Sequence, residues 1–318
     1  MAFLHSNRIF KHSITQHMEK LIFILTDHRF VAPENPDWYA KQVMNEDAML
    51  AEALRTQGYS VKSVDWADPG VDWHSAEAAI FRSTWDYFDR YAEFKKWFEE
   101  TQHKVRFINP VSLLEWNMDK HYLKDLEARG MAIVPSIFMK TGDVRSLAQL
   151  LEGSTWKEYI LKPCVSGCAR HTYHLKPEQL KNYEELYTTL IKEEPMMLQE
   201  FQESISSQGE VSHMVMGGRY THSILKHSKE GDFRVQDDFG GTVHPYTAAA
   251  AEIAFAEKAF ASCNPIPLYG RVDVMWDNDG SLRISEMELI EPELWFRFNP
   301  EAARILAEVI DGDLRKGG

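Results

Sequence analysis

The chain has 318 residues, 44% hydrophobic and 12% aromatic, with 35 lysines and arginines against 48 aspartates and glutamates, a formal charge of −13. That length sets a prior of two or three domains, and the apolar content excludes disorder as the overall state. The acidic balance excludes a surface that tracks nucleic acid by neutralising phosphates, although a small anionic ligand feels only local charge.

The chain opens on basic, histidine-rich text that lacks the apolar core and cleavage site of a signal peptide. Residues 1–17 read as a floppy extension, and Met18, ahead of Glu19-Lys20, as a natural start. From there the first third alternates. Lys20–Thr26 fits a strand. Asn45–Thr56 fits a helix, with Met49, Leu50, Ala53 and Leu54 at helical spacing and Gly58 past its end. Tyr59–Val64 and Ala78–Arg82 are strands. Arg90–Glu100 is a helix with Phe94, Trp97 and Phe98 on one side, and Val105–Ile108 closes the set before the boundary signal Asn109-Pro110. Such alternation implies a small parallel sheet carrying helices, so 18–110 forms a first domain.

Residues 111–201 change character. Met118–Arg129 reads as a helix closed by Gly130, and Glu158–Lys162 as a strand before the small-residue run Cys164-Val-Ser-Gly-Cys-Ala169. Arg170–Leu175 is a strand, Pro177–Lys192 a helix and Met196–Phe201 a strand, together a compact flap. Residues 202–318 read as antiparallel. Glu210–Met216 and Arg219–His227 flank Gly217-Gly218, Leu268–Trp276 and Leu282–Ile290 flank Asp277–Gly280, and Ala248–Ala261 and Glu301–Ile310 are helices.

The second of these hairpins carries the chemistry. Alternation places Arg271, Asp273 and Met275 on one face of the first strand, and Ile284, Glu286, Glu288 and Ile290 on one face of the next. A tight turn at Asn278-Asp279 sets Asp273 opposite Ile284 and beside Glu286. Three carboxylates then crowd one face and repel unless something positive intervenes. Oxygen donors without Cys or His suit Mg²⁺ or Mn²⁺, while a solvated charged face is the plainer alternative. Lys120, Lys162, Lys226 and Arg234 are scattered cations, each ordinary alone. The loop after Lys162, with Ser166 and Gly167, lets backbone N–H groups approach an anion, yet it is no Walker A sequence.

In order, Arg82-Ser-Thr-Trp-Asp-Tyr87, Trp116-Asn-Met-Asp-Lys120, Ile160-Leu-Lys-Pro163, Leu198-Gln-Glu-Phe201, Gly209-Glu210, Gly231-Asp-Phe-Arg234, Arg271-Val-Asp273 and Glu286-Met-Glu-Leu-Ile-Glu-Pro292 span roughly residues 20–300. Together they resemble the ATP-grasp superfamily, its prokaryotic glutathione-synthetase-like branch, and within it the D-cycloserine-forming sub-branch. The resemblance implies α/β plus α+β architecture: a Rossmann-like pre-ATP-grasp domain, a central flap at 111–201, and a mainly antiparallel C-terminal domain at 202–318. It implies that Lys120, Lys162, Ser166 and Gly167 contact ATP phosphates, that Gln199, Glu200 and Phe201 form the adenine hinge and read the base through backbone groups, and that Glu210 meets the ribose. Lys226 and Arg234 would face the triphosphate, and Asp273, Glu286 and Glu288 would hold Mg²⁺ or Mn²⁺. Glu288 stands where glutathione synthetases carry Asn, the flap loop is poor in Gly, and Glu293-Leu-Trp-Phe-Arg297 departs from the small apolar text of the sub-branch.

The implied activity is a carboxylate–amine ligase acting on an amino acid or small peptide, with a carboxyl phosphate as intermediate and ADP and phosphate released. An intramolecular ring-closing ligase and a non-catalytic ATP-binding regulator are the alternatives. Arg82, following the third strand, is expected to pair with a substrate carboxylate, or else to form an inter-domain salt bridge. Partners are small carboxylates and amines, with no nucleic acid and no membrane, since no run nears the ~20 apolar residues of a span. A homodimer is left open. Cys164, Cys168 and Cys263 are too few for a disulfide scaffold and fit a reducing cytoplasm, Cys164 and Cys168 being ordinary loop residues. His171 and His174 fall on opposite faces of a strand. One of His213, His222, His227 and His244 is a candidate base, and Trp295 and Phe296 read as core, or as a lid over the acceptor.

Overall fold

Three sheets succeed one another along this computed structural model, which describes residues 20–229, 231–235 and 240–316. The anticipated extension 1–17, the Met18 start and Gln236 lie outside the described residues.

The first sheet joins β1 (Lys20–Thr26), β2 (Tyr59–Asp65), β3 (Ala78–Ser83) and β4 (Arg106–Ile108) in the order β2-β1-β3-β4, every pair parallel. Its strands are apolar on both faces because both are covered: Ile22 and Ile24 enter one core, Phe23 and Leu25 another. After the short α1 (His28–Val31), α2 (Trp38–Thr56) covers the first face with Leu50 and Leu54, and α3 (Tyr91–Thr101) the second with Phe94 and Phe98. α2 begins at Trp38 rather than Asn45. Asp37 caps it, accepting the Ala40 N–H at 2.8 Å. The early turn shows no core periodicity because Trp38 is exposed and Tyr39 faces a cleft.

Next come α4 (Val111–Asn117), α5 (Tyr122–Ala128), β5 (Ser136–Met139), α6 (Leu147–Leu150), β6 (Tyr159–Pro163), β7 (Tyr173–Leu175), α7 (Leu180–Glu193) and β8 (Met196–Glu200). The strands pair antiparallel as β5-β8-β6-β7, with Leu150, Tyr187 and Ile191 packed on Leu161 and Leu198. The helix expected at Met118–Arg129 starts only at Tyr122, after a break that follows α4 at Asn117. In the break the Lys120 N–H donates to the Cys164 carbonyl at 2.9 Å and the His121 N–H to Asp119 at 2.9 Å, bonds no continuous helix would make. The strand expected from Arg170 starts only at Tyr173. Cys168, Ala169 and His171 have φ of 48°, 54° and 48°, which an extended strand excludes, so His171 does not share β7 with His174.

The third sheet holds β9 (Glu210–Met216), β10 (Arg219–His227), β11 (Thr242–Tyr246), β12 (Tyr269–Trp276) and β13 (Leu282–Glu288), antiparallel in the order β11-β10-β9-β12-β13. The short α8 (Ser204–Ser207) precedes it. Its back face packs Val211, Val272, Val274 and Met287 on α5 and on α9 (Ala250–Ala261) through Leu126 and Phe260. α10 (Pro300–Lys316) runs past the expected end at Ile310 because Leu314 prolongs its Leu306–Ile310 stripe. α10 lies against α2, in a core that also takes Met214, Met216 and Ile224 of the third sheet, so first and third sheets share apolar packing.

One register differs from expectation. Asp273 lies opposite Glu286, not Ile284, while Val274 faces Ile284; the extra residue, Ser285, is a β-bulge. The turn is also longer, closing with Asp277 N–H on Ser281 O, and Gly280 supplies φ +84°. The bulge reverses alternation, so Ile284 enters the core while Ser285, Glu286 and Glu288 face the cleft.

Candidate active site

A cleft enclosing about 220 Å³ opens between the second and third sheets and the segment after β3. Lys120, Lys162, Ser166, Gly167, Gln199, Glu200, Phe201, Glu210, Lys226, Arg234, Asp273, Glu286 and Glu288 all line it. Residues scattered over 169 positions of sequence are thus brought to one place.

The helix break delivers Lys120, whose Nζ donates to the Ser166 carbonyl and lies 2.7 Å from Glu286. Burial works against its charge, but Glu286 more than compensates and raises its pKa. Lys162 enters from β6. Burial and the neighbouring Lys120 leave it below the ordinary lysine range, despite Glu286. Lys226 bridges Glu210 and Asp273, the latter at 3.2 Å. Arg234 is chelated by Asp232 at 2.7 Å. Gly167 passes so near Phe88 that an added Cβ would stand 2.5 Å from its ring, so glycine is required for the flap loop to seat there.

The three hairpin carboxylates are each met by a cation. Asp273 accepts from Arg271 at 2.8 and 2.7 Å and from Ser212 at 2.6 Å; Glu288 also accepts from Arg271. Burial opposes the Asp273 charge, yet Arg271 and Lys226 hold its pKa well below the carboxylate range. Glu288 goes the other way: burial, with Asp273 and Glu286 nearby, pushes it well up despite Arg271. Glu291 follows the same logic and is pushed up to about 7, by burial and then Glu286, against Lys120 and Tyr87. The patch therefore has more carboxylate than its own cations neutralise. With an all-oxygen donor set facing the cleft, Asp273, Glu286 and Glu288 fit a hard divalent cation.

At the other end Phe201 and Phe233 line the cleft, and His174, outside that lining, stacks on Phe201 with centroids 4.0 Å apart and meets Phe233 edge-on at 5.5 Å. Ile160, Ile205 and Met275 complete an apolar slot. The expected backbone reading by the hinge is restricted, because the Glu200 and Phe201 N–H groups already donate to Pro135 and Glu158 carbonyls.

Several expectations are corrected. Arg82 does not line the cleft; it is buried in salt bridges with Glu46 and Asp47 (3.4 Å) within the first domain, not between domains as the alternative had it, and only its hydrogen bond to the Pro292 carbonyl at 2.8 Å leaves that domain. None of His213, His222, His227 and His244 lines the cleft, so none is placed as its base. Cys164 is buried and pushed up by that burial, so it stays a thiol beside the Asp119–His121 pair. Trp295 is both core and cleft wall, buried yet under Arg271 at 4.9 Å and Lys226 at 5.9 Å. Sequence reasoning gave no role to Arg271, Glu291 or Tyr39, and set Trp85 only at the end of the third strand, where open sheets place ligands. The shared face of Arg271 and Asp273 was the available signal; the others arrive by tertiary packing.

The family profile of the D-cycloserine synthetase DcsG N-terminal domain matches residues 22–109. The cycloserine biosynthesis protein DcsG of Streptomyces lavendulae is 32% identical over 280 residues, 82% of this chain and 91% of that protein. The crystal structure of D-cycloserine synthetase DcsG superposes with a TM-score of 0.82 at 28% identity, covering 92% of this chain and 99% of that one. The ATP complex of a D-alanine–D-alanine ligase from Bacillus anthracis shares the fold at TM-score 0.61 and 11% identity, over 94% of this chain and 100% of that one.

Proposed function

This chain belongs to the ATP-grasp ligase family that includes the D-cycloserine synthetase DcsG, and on that premise we propose that it activates a small substrate carboxylate with ATP and transfers the acyl group to nitrogen. As a member it is an ATP-dependent ligase forming carbon–nitrogen bonds; no described helix is long and apolar enough to cross a membrane.

The observation that carries the finer reading is the convergence of Lys120, Lys162, Lys226, Arg234 and Arg271 with the Asp273–Glu286–Glu288 carboxylates in one cleft. A carboxylate and a triphosphate are both anionic, so their meeting demands neutralisation. Lys120, Lys162, Lys226 and Arg234, with the Ser166-Gly167 loop, would hold the phosphates. The Phe201–Phe233 slot and Gln199–Glu200 would take the base, and Glu210 the ribose. Asp273, Glu286 and Glu288 would hold Mg²⁺, which supplies charge neutralisation at the phosphates. A substrate carboxylate oxygen attacks the γ-phosphorus as the bond to ADP breaks, leaving an acyl phosphate. A nitrogen then attacks the acyl carbon, loses its proton, and phosphate departs. Arg271, over the Trp295 ring, would balance charge on the acyl oxygens.

The test is ATP-dependent phosphate release across a panel of amino acids and dipeptides, with products weighed by mass spectrometry. No stimulation by any member would remove the amino-acid reading. A second reading, ring closure within one molecule, is favoured by the relationship to a cycloserine biosynthesis protein over 91% of its length. It predicts a product equal to one substrate less water, where intermolecular ligation gives two substrates less water.

A further inference from the structure

The three hairpin carboxylates of the cleft are each paired with a cation, and a fourth close by is not. Asp273 has Arg271 and Lys226, Glu286 has Lys120, and Glu288 has Arg271 within ion-pair distance. Glu291 lines the same cleft, and among the described residues no lysine or arginine reaches it within 4.0 Å. Lys120, whose field it feels, is held by Glu286 and the Ser166 carbonyl.

Glu291 is nonetheless held firmly. The Tyr87 hydroxyl donates to its Oε1 at 3.1 Å, and the Trp85 indole N–H donates to its main-chain carbonyl at 2.9 Å. Both donors come from the segment after β3, so first and third domains fix the carboxylate jointly. Trp85 is braced in turn, stacked on Tyr39 with centroids 6.0 Å apart and met edge-on by Phe30 at 5.5 Å. Tyr39 and Trp85 both line the cleft. A carboxylate in a cleft with no counter-ion is costly, and aromatic faces attract cations; both point to a positive ligand group.

We propose that Glu291, positioned by Tyr87 and flanked by Trp85 and Tyr39, is the subsite that binds the ammonium group of a small amino-acid substrate. The proposal rests on the ligase reading above and adds to it which end of the substrate meets the first domain. The lack of a cation is also why burial raises Glu291 as far as it does. The amine's charge supplies the missing counter-ion, and the hydrogen bonds it donates to the carboxylate are of the stronger, charge-assisted kind.

The experiment uses the full chain saturated with ADP and Mg²⁺, titrated by calorimetry with D-alanine, L-alanine, D-serine and L-serine. Each is compared with its deamino counterpart, propionate or 3-hydroxypropionate. At least one amine-bearing probe should bind about ten-fold or more tightly than its counterpart. Glu291→Gln, which keeps the shape and the Tyr87 bond, should erase that ratio while ADP affinity stays within about two-fold. Tyr87→Phe should reduce the ratio without erasing it. No preference for the amine in the wild-type chain, including no binding of any probe, overturns the subsite, as does a ratio that survives Glu291→Gln. Failure of the wild-type chain to bind ADP would instead overturn the ligase reading, so the two failures are distinguishable.

Discussion

Arg271 grips Asp273 from two residues earlier on the same strand, its Nε 2.8 Å from one carboxylate oxygen and its Nη2 2.7 Å from the other. The same guanidinium reaches Glu288 across the hairpin, so one cation ties both strands' acids into a single buried network. Such networks hold geometry, and removing one charge leaves its partners uncompensated.

Asp273→Asn, which keeps shape, should therefore lower ADP formation by about 100-fold or more. With Glu286→Gln it should abolish turnover. Denaturant unfolding should show a folded variant destabilised by about 3 kcal/mol or more, because Arg271 and Lys226 lose their counter-ion. Unchanged turnover in the double variant would remove both residues from the metal assignment.

Lys162 is a cation in the cleft with no carboxylate within ion-pair distance among the described residues, so its charge is available to an anion. Lys162→Ala should weaken ATP binding by about ten-fold, read by calorimetry. Burial lowers the Lys162 pKa, so wild-type affinity should begin to fall at a lower pH than an ordinary lysine would allow. The variant should lack that component. Equal affinities would take Lys162 out of the phosphate site.

Gly167 faces Phe88 at a distance no Cβ tolerates, and Phe88 is buried and cannot swing away. Gly167→Ala should unseat the flap loop from the first domain and raise the KM for ATP several-fold, with about 1–3 kcal/mol of overpacking cost. Adding Phe88→Ala should restore part of the loss. No rescue would mean that the loop's role is independent of that contact.

His213 is fully buried, shares a hydrogen bond with Ser223 at 2.7 Å, and is drawn down to about 4 by burial, against the pull of Glu252 and Asp273. Its ordinary value is 6.5. Between these values the unfolded chain binds the proton and the folded chain does not, so stability falls as pH drops from 6.5 towards 4. The loss should approach about 3 kcal/mol. Thermal midpoints across that range should fall less steeply in His213→Asn; parallel curves would show that His213 does not govern the slope.

Much of this was legible in the sequence. Runs such as Lys20–Thr26 and Ala78–Ser83 are apolar enough to announce a parallel sheet, and Gly217-Gly218 and Asp277–Gly280 announce hairpins. What was hidden depends on partners far away. β5 and β11 are short strands, and β11 gives only Val243 and Tyr246 to the cores, too few to show an alternation. The Ser285 bulge is invisible to a simple two-residue period, so the Asp273–Glu286 pairing could not be placed. The break at Lys120 follows from a bond to Cys164, and Glu291 is defined by Tyr87, both remote in sequence. Arg82 was ambiguous because a buried arginine and a ligand-binding one look alike until Glu46 and Asp47 are seen beside it.

The acyl-phosphate route is tested most directly by isotope transfer. A substrate found in the amino-acid panel, labelled with oxygen-18 in its carboxylate, is turned over with ATP, and the released phosphate is weighed. One labelled oxygen should move into phosphate for each ADP formed, because the carboxylate oxygen that attacks the γ-phosphorus leaves with it. Unlabelled phosphate accompanying labelled product would contradict carboxylate activation by this cleft.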